Sequence, residues 1–231
     1  MAGLHEMRAE FGPEFNGAQG RSGLTMVFVA RHGETLSNRQ RRYAGSSPEP
    51  LTDEGRAQAL GLAERVAALE IAEVRTSGIA RAAETARIVA ERLAVPVQID
   101  ARLNEMRMGP WEGLTEDEVA AHDLTAYRTW LETPDRLLLP GRESLKELAA
   151  RVVPAVLDAA SAGRRVLLIS HVAPIRVAAL MVLEIPLSAY KRLTIQNGDC
   201  LRQDLEAARA ERLDGARPGS LRDEVTAGPR R

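Results

Sequence analysis

Two short apolar runs in this chain each end on a histidine, and that repeated ending limits the available folds more than any other feature. Thr25 to Ala30 (TMVFVA) leads directly into Arg31-His32, and Arg165 to Ser170 (RVLLIS) into His171. Both runs have the length and the β-branched content of buried strands. After the first, Thr52 is an N-cap candidate with Asp53 and Glu54 in the opening turn, and Leu62, Val66 and Leu69 recur at helical spacing. A second unit runs from Ala72–Thr76 to a helix of about Ile79 to Leu93, with Arg81 in its first turn, and Pro96 to Ile99 predicts a third strand. Leu145, Leu148, Val152 and Val156 share one face of a helix starting near Glu143, in which Pro154 predicts a kink or an early stop. Thr194-Ile195 and Cys200-Leu201 are read as a final strand or hairpin turning at Asn197-Gly198.

Strands alternating with helices imply an α/β fold with a mostly parallel sheet covered on both faces. In such sheets ligands bind beyond the carboxyl ends of the strands. Three strand ends, carrying Arg31-His32, Thr76-Ser77 near Arg81, and Ser170-His171, are therefore expected on one surface.

The chain has 231 residues, enough for one sizeable domain, placed at 24–205. The 1–23 extension and the charged 206–231 tail carry little periodic apolar content and are expected to be disordered. Lys and Arg total 31 against 32 Asp and Glu, so a net charge of −1 gives no general drive toward nucleic acid or anionic membrane. Any anion site has to be local. One cysteine, Cys200, rules out an intramolecular disulfide framework and fits a reducing compartment. With no apolar stretch of signal-peptide or bilayer length, a soluble cytoplasmic protein is expected. A homodimer is left open.

The converging residues suit phosphate chemistry. Arg31 and Arg81 offer planar forks that match phosphate oxygens. A histidine beside such cations stays neutral, so His32 is the candidate nucleophile. His171 and Asn38 are candidate donors to the charge that spreads over phosphorus in the transition state. Glu105 is the candidate acid for the leaving oxygen, chosen over Glu112, Glu116 and Glu118. A metal held by His32, His171 and a carboxylate is disfavoured because the adjacent arginines repel it. No metal or cofactor is expected.

The order of these residues resembles the histidine phosphatase, or phosphoglycerate-mutase-like, superfamily over most of Met26 to Leu205. The match comprises Arg31-His32-Gly33-Glu34-Thr35 with Asn38, then Gly45 and Pro50-Leu51-Thr52. It continues with Ser77 to Ala86 around Arg81, Leu103-Asn104-Glu105, Gly109-Pro110-Trp111-Glu112-Gly113 and Ser170-His171. The resemblance implies a three-layer sandwich with a mixed, mostly parallel sheet, and metal-independent chemistry. It implies His32 as nucleophile and Glu105 as proton donor, with Arg31, Asn38, Arg81, His171 and the matched Gly45 about the phosphate.

Where the family often has Gly-Gly or Gly-Asn after Ser-His, this chain has Val172-Ala173, so any backbone donor there has to work from an ordinary conformation. Arg142, in Gly141-Arg142-Glu143-Ser144, is expected as a solvated loop residue rather than a substrate contact. Trp111 is expected to pack under the site loop, Trp130 and Tyr127 to cover the core rather than shape the pocket, and His5 and His122 to be bystanders. Mutases of the family carry extra enclosing segments, whereas only about 57 residues separate Gly113 from His171 here. Hydrolysis of a small phosphorylated metabolite is expected. The alternatives are a cofactor-dependent phosphoglycerate-type mutase and a non-catalytic phosphoryl-binding protein.

Overall fold

The computed structural model describes residues 26–213 and 220–227; the expected extension at 1–23 lies outside them. Among the described residues, six strands form one sheet: β1 (Met26–Arg31), β2 (Glu73–Thr76), β3 (Val97–Ile99), β4 (Val166–Ser170), β5 (Cys200–Asp204) and β6 (Arg209–Arg212). Their order is β3-β2-β4-β1-β5-β6. The first four in that order are parallel, whereas β5 runs antiparallel to β1 and β6 to β5. Register sets Arg31 opposite Ser170 and Thr76 opposite Ile169, so β1, β4 and β2 finish level on one surface, as the strand-end argument required.

The helices are α1 (Leu36–Arg39), α2 (Asp53–Val66), α3 (Ala80–Leu93), α4 (Glu116–His122), α5 (Leu124–Glu132), α6 (Leu145–Ala160), α7 (Val172–Val182) and α8 (Leu221–Thr226). Alternate residues of the central strands supply two cores. Val27, Val29, Val166 and Leu168 pack with residues of α6 and α7, and Phe28, Ala30, Leu167 and Ile169 with residues of α2 and α3. This is the three-layer α/β sandwich, covered on both faces. No helix among the described residues is long and apolar enough to cross a membrane.

Three local expectations are corrected. First, α6 does not stop early but continues through Pro154 to Ala160. Proline costs about 3 kcal/mol in a helix interior. Leu145, Leu148, Val152, Val153 and Val156 are each fully buried at about 1.5–3 kcal/mol apiece, and they outweigh it. Ala150, whose carbonyl loses its donor, is exposed to water.

Second, the hairpin is β5–β6, turning at 205–208, and neither Thr194 nor Ile195 is in a strand. Third, the segment expected to be a disordered tail from 206 carries β6 and α8. Ala210, Leu221 and Val225 enter the first core, and Arg212 links Asp199 to Glu224. A few apolar anchors joined by ion pairs leave no periodic signal.

Candidate active site

β1 delivers Arg31 and His32 to the sheet's carboxyl edge. The His32 amide donates to Ser170 O at 3.0 Å, which ties the end of β1 to the end of β4. Two contacts fix its ring. Nδ1 lies 2.7 Å from Gly33 O, an oxygen that can only accept, and Arg81 Nε donates to Nε2 at 3.2 Å. The proton is therefore on Nδ1, and Nε2 carries the lone pair. Burial, then Arg31 and Arg81, hold the His32 pKa well below its ordinary 6.5, so the ring is neutral at pH 7.

The turn after His32 rests on a backbone crossing. A Cβ on Gly33 would stand 2.1 Å from Gly55 O, and one on Gly55 would stand 2.2 Å from Glu34 O. No side chain can move aside to relieve either clash. Gly55→Ala is expected to cost about 1–3 kcal/mol, read as a lower urea midpoint at unchanged slope.

Arg81, in the first turn of α3, is 1% exposed. Besides His32 it donates through its two terminal nitrogens to Ser47 O at 2.9 Å and Gly45 O at 2.8 Å. Gly45 thus holds the arginine through its carbonyl. Its φ of +47° lies in the left-handed region that favours glycine, and the Glu112 side chain packs where a Cβ would stand. Arg31 donates to Ile195 O at 2.8 Å, while its Nε is buried without a partner. Burial draws the Arg31 guanidinium down to about 10, with Glu105 opposing and Arg176 and Arg81 adding to the shift, so it stays charged.

Asn38 closes α1. Its Oδ1 accepts from Thr35 N at 3.2 Å and from Asn197 Nδ2 at 2.9 Å, leaving its own amide nitrogen to offer a ligand. Asn197 also donates to His32 O at 3.1 Å. This positioning residue was missed, since Asn197-Gly198 reads as a turn and a turn it is: Gly198 has φ +78°.

Glu105 is half-buried and accepts from Met106 N at 2.8 Å. Burial raises its pKa above the ordinary 4.5, against Arg81, Arg31 and the amides of Met106 and Ala173. The Ala173 donor stands in the first turn of α7, and Val172 begins that helix without positive φ, as the residues after Ser-His required. A second missed pair sets this segment. Arg151 binds the buried Glu143 at 2.7 and 2.8 Å and donates to the carbonyls of Arg102, Asn104 and Glu105.

His171 is fully buried, its ring centroid 5.0 Å from that of His32. Ser77 Oγ gives its proton to Asn104 Oδ1, so the 2.8 Å contact between His171 Nε2 and Ser77 Oγ makes Nε2 the donor. Nδ1 is buried without a partner, and burial followed by His32, Arg81 and Arg31 keeps the ring's pKa well below 6.5.

Arg31, His32, Asn38, Gly45, Arg81 and Glu105 line one cavity of about 220 Å³, with His171 packed behind His32. Of the other acids weighed, Glu116 also lines it, whereas Glu112 accepts from Met108 N and Glu118 caps α4 and pairs with Arg42. Trp130 belongs to the core and to the cavity wall alike. Arg142, expected in solvent, is buried. Its guanidinium lies 4.2 Å from the Trp130 ring centroid and 5.1 Å from that of Trp111, so aromatic faces replace the missing water.

The chain is similar to known proteins over most of its length. A protein named "Probable phosphoglycerate mutase GpmB" from Enterobacter sp. (strain 638) is 34% identical over 185 residues, covering 79% of this chain and 86% of that relative. The mycobacterial glucosyl-3-phosphoglycerate phosphatase, solved with VO3, superposes with a TM-score of 0.72 at 27% identity, over 81% of this chain and 97% of that one. The α-ribazole phosphatase of Shigella flexneri gives a TM-score of 0.71 at 25% identity, over 81% and 94%. The profile of the histidine phosphatase superfamily (branch 1) matches residues 27–212, nearly all of the continuous described stretch, and the chain belongs to that superfamily.

Proposed function

We propose that the chain hydrolyses small phosphomonoesters through a covalent phosphohistidine at His32. The observation that carries this reading is the fixed His32 tautomer, whose lone pair on Nε2 is held by Arg81 within a cationic cavity. Nε2 attacks phosphorus, the ester P–O bond breaks, and the departing alkoxide takes the Glu105 proton. Arg31, Arg81 and the Asn38 amide balance the charge on the phosphoryl oxygens. Water then attacks the phosphohistidine and passes its proton to the Glu105 carboxylate. Inorganic phosphate leaves, and the Nε2 lone pair is restored.

Phosphate released from small monoesters in the presence of chelator supports this reading. The name of the Enterobacter relative favours a second one, a mutase. Isomerisation that depends on a bisphosphorylated cofactor, without phosphate release, would establish the mutase instead.

The pH profile tests the assignment of the acid. His32 has to be neutral to attack, so activity falls toward low pH through a pKa below 6.5. Glu105 has to be protonated, so activity falls toward high pH through a pKa above 4.5. Glu105→Gln is expected to remove the alkaline limb and to slow alkyl esters by about 10²-fold, with less loss on p-nitrophenyl phosphate, whose leaving group needs no proton. An unchanged alkaline limb would assign the acid elsewhere.

A further inference from the structure

Resting on the hydrolase reading, we propose that Lys191 and Arg176 form a second anion site in the same cavity, which binds a carboxylate or a second phosphate on the alcohol side of the substrate. Both side chains line the cavity, and the chemistry at His32 needs neither. They arrive from separate elements, Lys191 from the 3-10 segment Leu187–Arg192 and Arg176 from α7.

Arg176 is held by neutral groups, and Lys191 by an aromatic face and one long ion pair. Arg176 donates to Leu193 O at 2.7 Å and lies 5.0 Å from the Tyr190 ring centroid; no carboxylate pairs with it among the described residues. Lys191 lies 5.1 Å from the Trp130 ring centroid and reaches Glu116 Oε1 only at 3.5 Å. Glu116 is already shared, since Tyr43 and Tyr127 donate to its two oxygens at 3.2 Å each.

Charge balance points the same way. The wall carries Arg31, Arg42, Arg81, Arg176 and Lys191 against Glu105 and Glu116, and Arg42 is committed to Glu118. A phosphate dianion offsets Arg31 and Arg81 and leaves the Arg176–Lys191 pair with Glu116 alone. Burial, with Arg176 adding to it, already holds the Lys191 pKa below its ordinary value, against Glu116; an anion between the two cations relieves that cost. At about 220 Å³ the cavity is smaller than the roughly 300 Å³ at which drug-sized pockets begin, so a second charge on a few-carbon alcohol falls within reach of the pair.

The test compares 3-phosphoglycerate with glycerol 3-phosphate, which differ in a carboxylate against a hydroxymethyl group, and adds propane-1,3-diol bisphosphate. The unmodified enzyme is expected to favour one of the charged esters by about tenfold or more in kcat/KM. The better of the two identifies the anion. Lys191→Met is expected to reduce that preference about tenfold, mainly through KM, and Lys191→Arg to keep it.

The same ratios are read as Kd by calorimetry on His32→Ala, which does not depend on turnover. Equal kcat/KM and Kd for charged and neutral esters, or a preference that survives Lys191→Met, overturns the second site while phosphate release still upholds the hydrolase. Selective binding without phosphate release upholds the site and overturns the hydrolase.

Discussion

His32→Ala is expected to lose turnover by about 10⁴-fold or more and to form no phosphoenzyme, whereas the unmodified protein, quenched in mid-reaction, is expected to yield an acid-labile phosphoryl group. The size of the loss follows from the absence of a substitute. Among the residues lining the cavity, His32 supplies the only imidazole, and the neighbouring His171 carries its proton on Nε2 against Ser77 and is packed behind. The substitution also leaves Arg81 Nε without its acceptor in a buried place, which costs about 1–3 kcal/mol. A melting curve shows whether the loss of turnover exceeds the loss of folded protein. Equal hydrolysis of a monoester panel by both proteins would refute the covalent mechanism.

Arg81→Lys is expected to lower kcat/KM by about 10²–10³-fold, although charge is conserved. The guanidinium reaches Gly45 O, Ser47 O and His32 Nε2 with three nitrogens set in one plane. An ammonium is a single point and cannot span them. Two consequences separate this from loss of charge alone. The segment carrying Gly45 and Ser47 loses its anchor, so its amides exchange faster, and inorganic phosphate binds more weakly even where no bond is broken. Activity within a few-fold of the unmodified enzyme would show that positive charge alone suffices at this position.

The parts of the site that a strand end presents were legible in the sequence, because burial on both faces gives a short apolar run and the residues after it have to leave the sheet. Arg31, His32, Ser77, Arg81 and His171 came from that logic, the demands of phosphate chemistry proposed Asn38 and Glu105, and family order added Gly45. The parts held by distant partners were not legible. Asn197 acts on His32 and Asn38 from 165 and 159 positions away, and locally it is a turn residue. Arg151 lies on a helix whose periodicity accounts for its neighbours, and its work on the Glu105 segment appears only once α6 is laid against it. Arg142 illustrates the converse: charge and glycine neighbours read as solvent, while two indoles brought from Trp111 and Trp130 supply a burial site that no local pattern encodes. The segment after 206 failed for the same reason, since three apolar anchors and one arginine are too few to make a period.

The position of β1 between β4 and β5 has a consequence for how the protein is made. Among the described strands, the one leading into His32 is synthesised first, yet the parallel neighbour that fixes its end begins at Val166, about 135 residues later, and the other neighbour at Cys200. At ribosomal rates of about 5–20 residues per second, the apolar strand waits roughly 7–27 s before its first partner has been translated. Through that interval it lacks both of the strands that pair with it in the fold, the condition under which a strand edge is open to unwanted pairing. The seat of His32 is complete only once Ser170, His171 and Asn197 have emerged.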